Sequence, residues 1–339
     1  MWQVIGQDRA VSLLQNSMER GTLAHAYLLA GPPHVGKMTL ALNLAQAVNC
    51  DTEAPPCGEC ASCQKIASGK HADVQIIGLA SNGNSAETKP QAEIGIDQIR
   101  EVQHSSSLPP FEGRYKVFII DEAEHLSIEA ANCLLKTLEE PVGNALFILL
   151  ATSGSLLPDT VVSRCQQLEL PPLASGEVEA ALDSRWGIEV QKARLLARLC
   201  RGRLGWALSA AGDDSLLQQR AEKLDRLLEV ISAGFDERFA YAAQLAAQFG
   251  QSRGAVHEVL DLWVVWWRDL LLIKTGCGDA ITNVDLETRL VDQANGYSLA
   301  QIKAVIDSIL AAGEQLEQNV NPQLVLEMVM LNIPKRRAQ

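Results

Sequence analysis

The chain has 339 residues and a formal net charge of −12, because 41 aspartates and glutamates outnumber 29 lysines and arginines. Apolar residues make up 47% of it and charged residues 21%, the balance of a globular protein rather than a disordered one. This length predicts about two or three domains. The acidic balance excludes a protein that grips nucleic acid alone with its whole surface, since phosphate contacts need clustered lysine and arginine.

The targeting and redox signals are those of a cytoplasmic protein. The N-terminal residues carry no basic stretch followed by an apolar core, so we expect no secretory signal. The most apolar window, residues 259–273, is interrupted by Asp261, Arg268 and Asp269, which argues against a membrane span. Eight cysteines in such a chain indicate reduced thiols or a metal site rather than a disulfide framework.

Helical patterns and short apolar strands alternate through the first half of the chain. The helices are predicted at residues 8–20, 37–48 and 130–140. The strands are predicted at residues 26–30, 117–120 and 145–151. Residues 78–95, rich in Ser, Asn, Gly and Ala, are predicted to form an exposed loop. Continuous apolar strands that alternate with helices predict an α/β domain whose parallel sheet is covered on both faces.

Beyond Pro171 and Pro172 the apolar strands stop and helical patterns dominate. The helices are predicted at residues 177–184, 192–200, 216–232, 239–249, 253–274, 285–294, 298–318 and 322–331. The polar stretch Gly212-Asp213-Asp214 is a candidate hinge between two helical parts. The second half of the chain is therefore predicted to be all-α.

The segment from Gly31 to Met38 fits the phosphate-loop pattern G-x4-G-K and lies between a strand and a helix, as this motif requires. The backbone N–H groups that the loop Gly31–Gly36 and the helix N-terminus offer can cradle phosphate oxygens, and Lys37 would reach the β and γ phosphates. The next position should supply a hydroxyl to Mg²⁺, but it is Met38, and Thr39 lies about 100° further around the helix. A thioether is a poor ligand for this hard cation. The pattern predicts a P-loop fold, leaves ATP and Mg²⁺ binding doubtful, and keeps open a retained loop that binds nothing.

Polar residues follow the second and third predicted strands. Asp121, at the end of one strand, can hold Mg²⁺ through water, and Glu122 can orient an attacking water. Thr152 follows the next strand, where its hydroxyl can sense a γ-phosphate. The plain alternative is an acidic pair that caps the strand and is solvated, and Met38 favours this alternative over catalysis.

Four cysteines, Cys50, Cys57, Cys60 and Cys63, lie within fourteen residues. Closely spaced thiolates in a chain without a secretory signal suit tetrahedral Zn²⁺. Four protein ligands leave no open coordination position, so the predicted zinc would be structural. An iron–sulfur cluster and free thiols are the alternatives.

The tripeptide Ser163-Arg164-Cys165 follows a short predicted helical stretch. An exposed arginine at such a position can reach the nucleotide of a neighbouring subunit and stabilise charge in the transition state. The tripeptide is a weak motif by itself, and a solvated or ion-paired Arg164 is the alternative.

As a set, these motifs resemble those of the clamp-loader family within the AAA+ superfamily. The resemblance also rests on the segments Val4–Gln7, His25–Leu28, Asn132–Pro141 and Asn319–Glu327. It implies an AAA+ P-loop domain over residues 1–172 with an inserted zinc module at 50–63. It further implies a helical lid over 173–212 and a helical collar, for oligomerisation, over 213–339.

The resemblance also implies a function and a set of partners. Members of the family work within DNA polymerase III, where they load the ring-shaped sliding clamp onto primed DNA during replication. The implied partners are gamma/tau and delta subunits in a hetero-pentameric ring, with the clamp and the DNA reached through the complex and no membrane involved. Arg164 matches an arginine finger that acts in trans on ATP in an adjacent subunit, and the four cysteines match a structural zinc module.

Two departures separate this chain from the ATPase subunits of the family. A gamma/tau-type subunit should keep Ser or Thr at position 38 and a sensor arginine in the lid motif G-S-x-R-x-A. Here position 38 is Met38, and the lid segment 202–207 reads Gly-Arg-Leu-Gly-Trp-Ala, with Gly205 at the arginine position. Both departures remove side chains that ATP hydrolysis needs. We therefore predict a largely non-catalytic ring subunit without ATP hydrolysis of its own, with a gamma/tau-type ATPase subunit as the alternative.

Overall fold

The computed structural model describes residues 2–79, 93–140, 143–318 and 320–334. Most of the loop predicted at 78–95 lies outside these residues. The chain packs as two compact units, of which the first spans Met1–Ala181 and Gly202–Trp206. The second spans Leu182–Arg201 and Ala207–Gln339. The division of the helical half into a lid at 173–212 and a collar at 213–339 stays a prediction.

A five-stranded parallel sheet organises the first unit. Its strands are β1 (Ala26–Ala30), β2 (Val74–Ile77), β3 (Lys116–Ile120), β4 (Ala145–Ala151) and β5 (Gln166–Glu169). They lie in the order β2-β3-β4-β1-β5, so the three predicted apolar strands occupy the centre and are buried throughout. The predicted α/β fold class is confirmed. The edge strands β2 and β5 are additions to the predicted set.

Helices cover both faces of this sheet. They are α1 (Asp8–Glu19), α2 (Lys37–Asn49), α3 (Ala61–Ala67), α4 (Ile96–Ser106), α5 (Ile128–Glu139) and α6 (Asp159–Val162). Because neighbouring strand residues point to opposite faces, Leu28 joins one apolar cluster with Phe118 and Phe147, whereas Tyr27 and Leu29 join the other. The first cluster includes residues of α4 and α5, and the second includes residues of α1 and α2.

The described residues beyond 174 contain no further β-strand, as predicted. Their helices are α7 (Ser175–Trp186), α8 (Val190–Leu199), α9 (Leu204–Gly212), α10 (Asp214–Ser232), α11 (Phe235–Gln251), α12 (Arg253–Lys274), α13 (Glu287–Asn295), α14 (Leu299–Glu317) and α15 (Pro322–Asn332). In the second unit, Trp263, Trp266 and Trp267 of α12 are fully buried in one large apolar cluster. Among the described helices, none combines the length and the apolar character that a membrane span requires.

Candidate functional site

The carboxyl edge of the sheet gathers most of the residues predicted for a nucleotide site. Gly31 follows β1, Asp121 follows β3 and Thr152 follows β4. The parallel register aligns these strand ends, and the backbone N–H of Gly31 donates to the carbonyl of Ala151 at 3.1 Å. The crevice at the carboxyl ends of parallel strands is where open α/β folds bind their ligands.

Two glycines shape the phosphate loop. A Cβ atom at Gly31 would stand 2.4 Å from the carbonyl oxygen of Leu170, so the two chain segments approach too closely for any other residue. Gly36 has a φ of +101°, a left-handed conformation that L side chains rarely adopt, and the helix α2 begins directly after it. These glycines make the sharp connection from β1 into the N-terminus of α2, which the phosphate-loop pattern predicted.

Lys37, the first residue of α2, turns its side chain back onto this loop. Its Nζ donates to the carbonyl of Gly31 and, at 3.1 Å, to the carbonyl of Pro32. Burial lowers the pKa of Lys37, and the negative charges of Glu124 and Asp121 oppose that shift. The lysine therefore lies on the phosphate loop, close to acidic groups, and its contact with a phosphate stays a prediction.

The hydroxyl that Mg²⁺ needs is missing from this loop. Met38 is half-buried and packs against the apolar cluster formed by α1, α2 and the sheet. Thr39 comes one residue later in the same helix. The residues present therefore do not fit a Mg²⁺ ion bound as in an active P-loop ATPase.

Gly205 lies directly against the phosphate loop. Its backbone N–H donates to the carbonyl of His34 at 2.9 Å, and a Cβ atom at this position would stand 3.0 Å from the same oxygen. The residue at the predicted sensor position thus contacts the loop through its backbone, and it offers no guanidinium to a phosphate.

Glu124 lies within the site, although the sequence motifs did not predict it. It occupies a short 3₁₀ turn, Ala123–His125, and its Oε1 accepts hydrogen bonds from the Thr152 backbone N–H at 3.1 Å and the Thr152 hydroxyl at 2.6 Å. Its Oε2 is buried and has no hydrogen-bond partner among the described residues. The signal that could have revealed it is a carboxylate three residues after Asp121, at the end of a buried strand.

Asp121 is half-buried beside this group. Burial raises its pKa, while the Glu122 backbone N–H, which donates to its Oδ1 at 3.0 Å, and the charge of Lys37 oppose that shift. Glu122 is exposed and has a left-handed backbone, with a φ of +51°. The predicted acidic pair therefore lies at the carboxyl edge of the sheet, with Asp121 half-buried and Glu122 exposed.

Arg164 follows the short helix α6, as predicted. Its hydrogen bonds within the described residues go to α5 and α6 rather than to the phosphate loop. Nη1 donates to the Thr160 carbonyl at 2.7 Å and to the Ser163 hydroxyl at 3.4 Å, and Nη2 donates to Oε1 of Glu139 at 2.5 Å. The side chain is 33% exposed. Arg164 is therefore held at the surface of the first unit, and none of its hydrogen bonds within the described residues goes to the nucleotide-site residues of its own chain.

The four predicted zinc ligands converge on one point. The Sγ atoms of Cys50, Cys57, Cys60 and Cys63 all lie within 4.8 Å of one another. The Cys57 and Cys63 sulfurs are 3.9 Å apart. Tetrahedral zinc with Zn–S bonds of about 2.3 Å separates its sulfurs by about 3.8 Å, so the donor set fits this ion in size and in chemistry.

Local backbone geometry prepares two of these thiols for a metal. The N–H groups of Cys60, at 3.3 Å, and Glu59, at 3.4 Å, donate to the sulfur of Cys57 and lower its pKa to about 6. The sulfur of Cys60 accepts from the N–H of Cys63 and caps α3. The cluster thus joins the end of α2 to the start of α3 and holds sulfur donors toward one centre.

Comparison with known proteins gives matches over most of the chain. A family model described as "DNA polymerase III, delta subunit" matches residues 6–174, and another, "DNA polymerase III, delta subunit, C terminal", matches residues 216–335. The delta' subunit of DNA polymerase III from Bacillus subtilis is 31% identical, with 96% of this chain and 95% of the relative covered.

Tau subunits and a solved structure are also similar. The tau subunit of DNA polymerase III from Escherichia coli is 34% identical over 97% of this chain and 52% of the relative, and that from B. subtilis is 29% identical over 97% and 60%. This chain therefore spans about half to three fifths of the tau relatives that it matches. A gamma-subunit-related protein of Thermotoga maritima has 16% identity and a TM-score of 0.46, with 96% of this chain and 99% of that one covered.

Proposed function

Because the chain belongs to the DNA polymerase III delta-subunit family, we propose that it serves as the delta-prime subunit of a clamp loader. In this role it is a largely non-catalytic member of a hetero-pentameric ring with gamma/tau and delta subunits. The ring loads the sliding clamp onto primed DNA in the cytoplasm. The delta' relative from B. subtilis supports this choice, since it is 31% identical over 96% of this chain and 95% of its own length.

The observation that carries the proposal is that the nucleotide edge is incomplete, whereas Arg164 lies elsewhere at the surface of the same unit. The nucleotide edge has the phosphate-loop backbone and Lys37, but Met38 replaces the hydroxyl for Mg²⁺ and Gly205 replaces the sensor arginine. Binding of ATP without hydrolysis is the most that this edge supports. Arg164, in contrast, lies at the surface of the first unit with its side chain 33% exposed, as a residue that acts on a neighbour's nucleotide requires.

The function test compares clamp- and DNA-stimulated ATP hydrolysis by reconstituted complexes that contain wild-type chain, Arg164→Ala or Arg100→Ala. Arg100 is the matched control, because it is another surface arginine of the first unit that is held in an ion pair, with Asp97 at 3.2 Å. An arginine finger accelerates hydrolysis by about 10³-fold or more at the site that it serves. We expect Arg164→Ala to remove the contribution of one site while the ring still assembles. Equal rates for all three complexes would refute the finger.

A gamma/tau-type ATPase is the second candidate, and the 34% identity to the E. coli tau subunit favours it. The two candidates differ in what the purified chain does alone. A gamma/tau-type subunit would turn over ATP by itself in the presence of Mg²⁺, whereas a delta-prime subunit shows no turnover above background. A steady-state ATPase assay on the isolated chain decides between them.

We further propose that Cys50, Cys57, Cys60 and Cys63 hold one structural zinc ion. Bound zinc would crosslink the end of α2 to α3, and its free energy of binding would add to the stability of the first unit. We expect about one zinc per chain by atomic emission, and a lower unfolding temperature after chelation or in Cys63→Ser. Cys277→Ser is the matched control, since Cys277 is exposed and outside the cluster. Absence of zinc from protein purified without chelator would contradict the proposal.

A further inference from the structure

The guanidinium of Arg164 is held by three acceptors, and one of them is a carboxylate from a different helix. Glu139 is the last residue of α5, and its Oε1 lies 2.5 Å from Nη2 of Arg164. The other two acceptors, the Thr160 carbonyl and the Ser163 hydroxyl, belong to the local turn around α6. Glu139 is therefore the contact that fixes Arg164 to the body of the first unit.

These contacts leave part of the guanidinium available. An arginine carries five N–H donors in a planar fork. Three of them are used by Glu139, Thr160 and Ser163, and the Nε–H and the second Nη2 hydrogen have no hydrogen-bond partner among the described residues. An arginine binds a phosphate by donating two such N–H groups in a bidentate contact.

The backbone at the end of α5, which carries Glu139, is tied to the start of β1. The carbonyl of Leu138, its neighbour in α5, lies 2.8 Å from Nε2 of His25, which directly precedes β1. The C-terminal end of α5 also carries the negative pole of the helix, which adds to the attraction for a cation. A chain of contacts thus runs from the residue before β1 through the end of α5 to the guanidinium.

We propose that Glu139 is a positioning residue for Arg164. Its carboxylate orients the guanidinium so that the two remaining N–H groups meet the γ-phosphate of ATP in the adjacent subunit. This inference rests on the proposed function of Arg164. The opposite role, a latch that withholds the arginine until release, uses the same contact but predicts the opposite effect of removing it.

The test uses reconstituted clamp loader with clamp and primed DNA, and compares Glu139→Gln with Glu140→Gln. Glu140 is the matched control, since it is the exposed neighbour in sequence with no ion pair among the described residues. Loss of one charge-assisted hydrogen bond corresponds to about tenfold in rate. The part of kcat that depends on Arg164 is the difference between wild type and Arg164→Ala. We expect Glu139→Gln to lower this part by about tenfold and to leave KM for ATP unchanged. Glu140→Gln should match wild type.

A double variant separates positioning from a general structural role. If Glu139 acts through Arg164, then Glu139→Gln combined with Arg164→Ala is no slower than Arg164→Ala alone. A further loss in the double variant would overturn the inference. If Glu139→Gln does not assemble into the ring, Glu139→Asp replaces it. Glu139→Asp keeps the carboxylate on a shorter side chain, and it should also lower the rate.

The experiments distinguish a wrong finger role for Arg164 from a wrong positioning role for Glu139. Full activity of Arg164→Ala refutes the proposed finger, and the role of Glu139 with it. A slow Arg164→Ala complex beside a Glu139→Gln complex that equals the Glu140→Gln control refutes only the positioning role. A Glu139→Gln complex faster than wild type also refutes positioning, and identifies the latch.

Discussion

The carboxylate of Asp73 shows how one buried residue shapes a surface loop. Its side chain is 3% exposed and accepts from the backbone N–H groups of Phe111, Glu112 and Gly113 at 2.7 to 2.8 Å. Burial by itself would raise the pKa of Asp73, but the three donors outweigh it and hold the pKa below its usual value. This carboxylate organises the turn that leads into β3, and it leaves Phe111 87% exposed.

Asp73→Asn should destabilise the protein by about 2 kcal/mol at neutral pH, because an amide presents its NH₂ to backbone donors that need an acceptor. A lowered native pKa means that the stabilisation is complete above the usual value of about 3.9 and is lost as pH falls through the native pKa. Urea unfolding at neutral and at acidic pH measures this. The gap between wild type and variant should shrink in acid.

Asp97→Asn is the control for this residue, because Asp97 is 88% exposed and its ion pair with Arg100 lies on the surface. Such pairs contribute little to stability. If Asp97→Asn proved as destabilising as Asp73→Asn, or if the Asp73 gap did not change with pH, the assigned role of the buried carboxylate would be wrong.

Sequence motifs predict functional residues only when spacing along the chain carries the signal. Lys37 and the four cysteines follow fixed local spacings, and the structure places the lysine at the loop and the cysteines around one centre. Glu124 and Glu139 have no such spacing. Each becomes recognisable through a partner 25 or more positions away, Thr152 for the one and Arg164 for the other. Pairing of this kind depends on the fold and could not be predicted from local patterns.

At the scale of elements, a single arginine joins the ends of two helices in the second unit. Arg238 of α11 is 1% exposed, and its guanidinium donates to four backbone carbonyls. Val230 and Ile231 lie in the last turn of α10, and Met330 and Ile333 lie at the end of α15. The last carbonyls of a helix have no i+4 partner within that helix. The Val230 carbonyl also accepts from the Ala233 N–H at 3.2 Å, so Arg238 matters most for the carbonyls of Ile231, Met330 and Ile333.

Arg238→Met should lower the free energy of unfolding by about 3 kcal/mol or more, since it leaves several buried carbonyls without a donor. Chemical denaturation followed by circular dichroism measures the loss. Arg194→Met is the control, because Arg194 of α8 is exposed, and we expect it to change stability by less than about 0.5 kcal/mol. Similar stabilities of the two variants would show that the carbonyls of α10 and α15 find other donors.

Elements with a strong apolar period could be predicted well, and weakly patterned ones could not. Helix α12 occupies residues 253–274, as its apolar residues predicted. The strands β2 and β5 were missed because each has four residues, lies at an edge of the sheet and exposes part of its length. Without burial on both faces, an edge strand has no continuous apolar run to distinguish it from a loop.

At the scale of the whole molecule, the net charge of −12 limits what the chain does alone. A ring subunit can act in a complex that handles DNA while its neighbours provide most of the phosphate contacts. Nonspecific affinity for DNA comes from lysine and arginine that displace counterions, so it falls steeply with salt. The charge therefore predicts that the isolated chain has a lower affinity for DNA than its complex has.

We expect the isolated chain to bind a fluorescent primed DNA no more tightly than about 10⁻⁴ M at physiological salt, the weak limit of nonspecific binding. The reconstituted clamp loader with ATP and clamp should bind the same DNA far more tightly and with a steep salt dependence. Fluorescence anisotropy over a series of salt concentrations measures both. Tight, salt-sensitive binding by the isolated chain would mean that a local basic surface overrides its acidic balance, and that this subunit contacts the DNA phosphates itself.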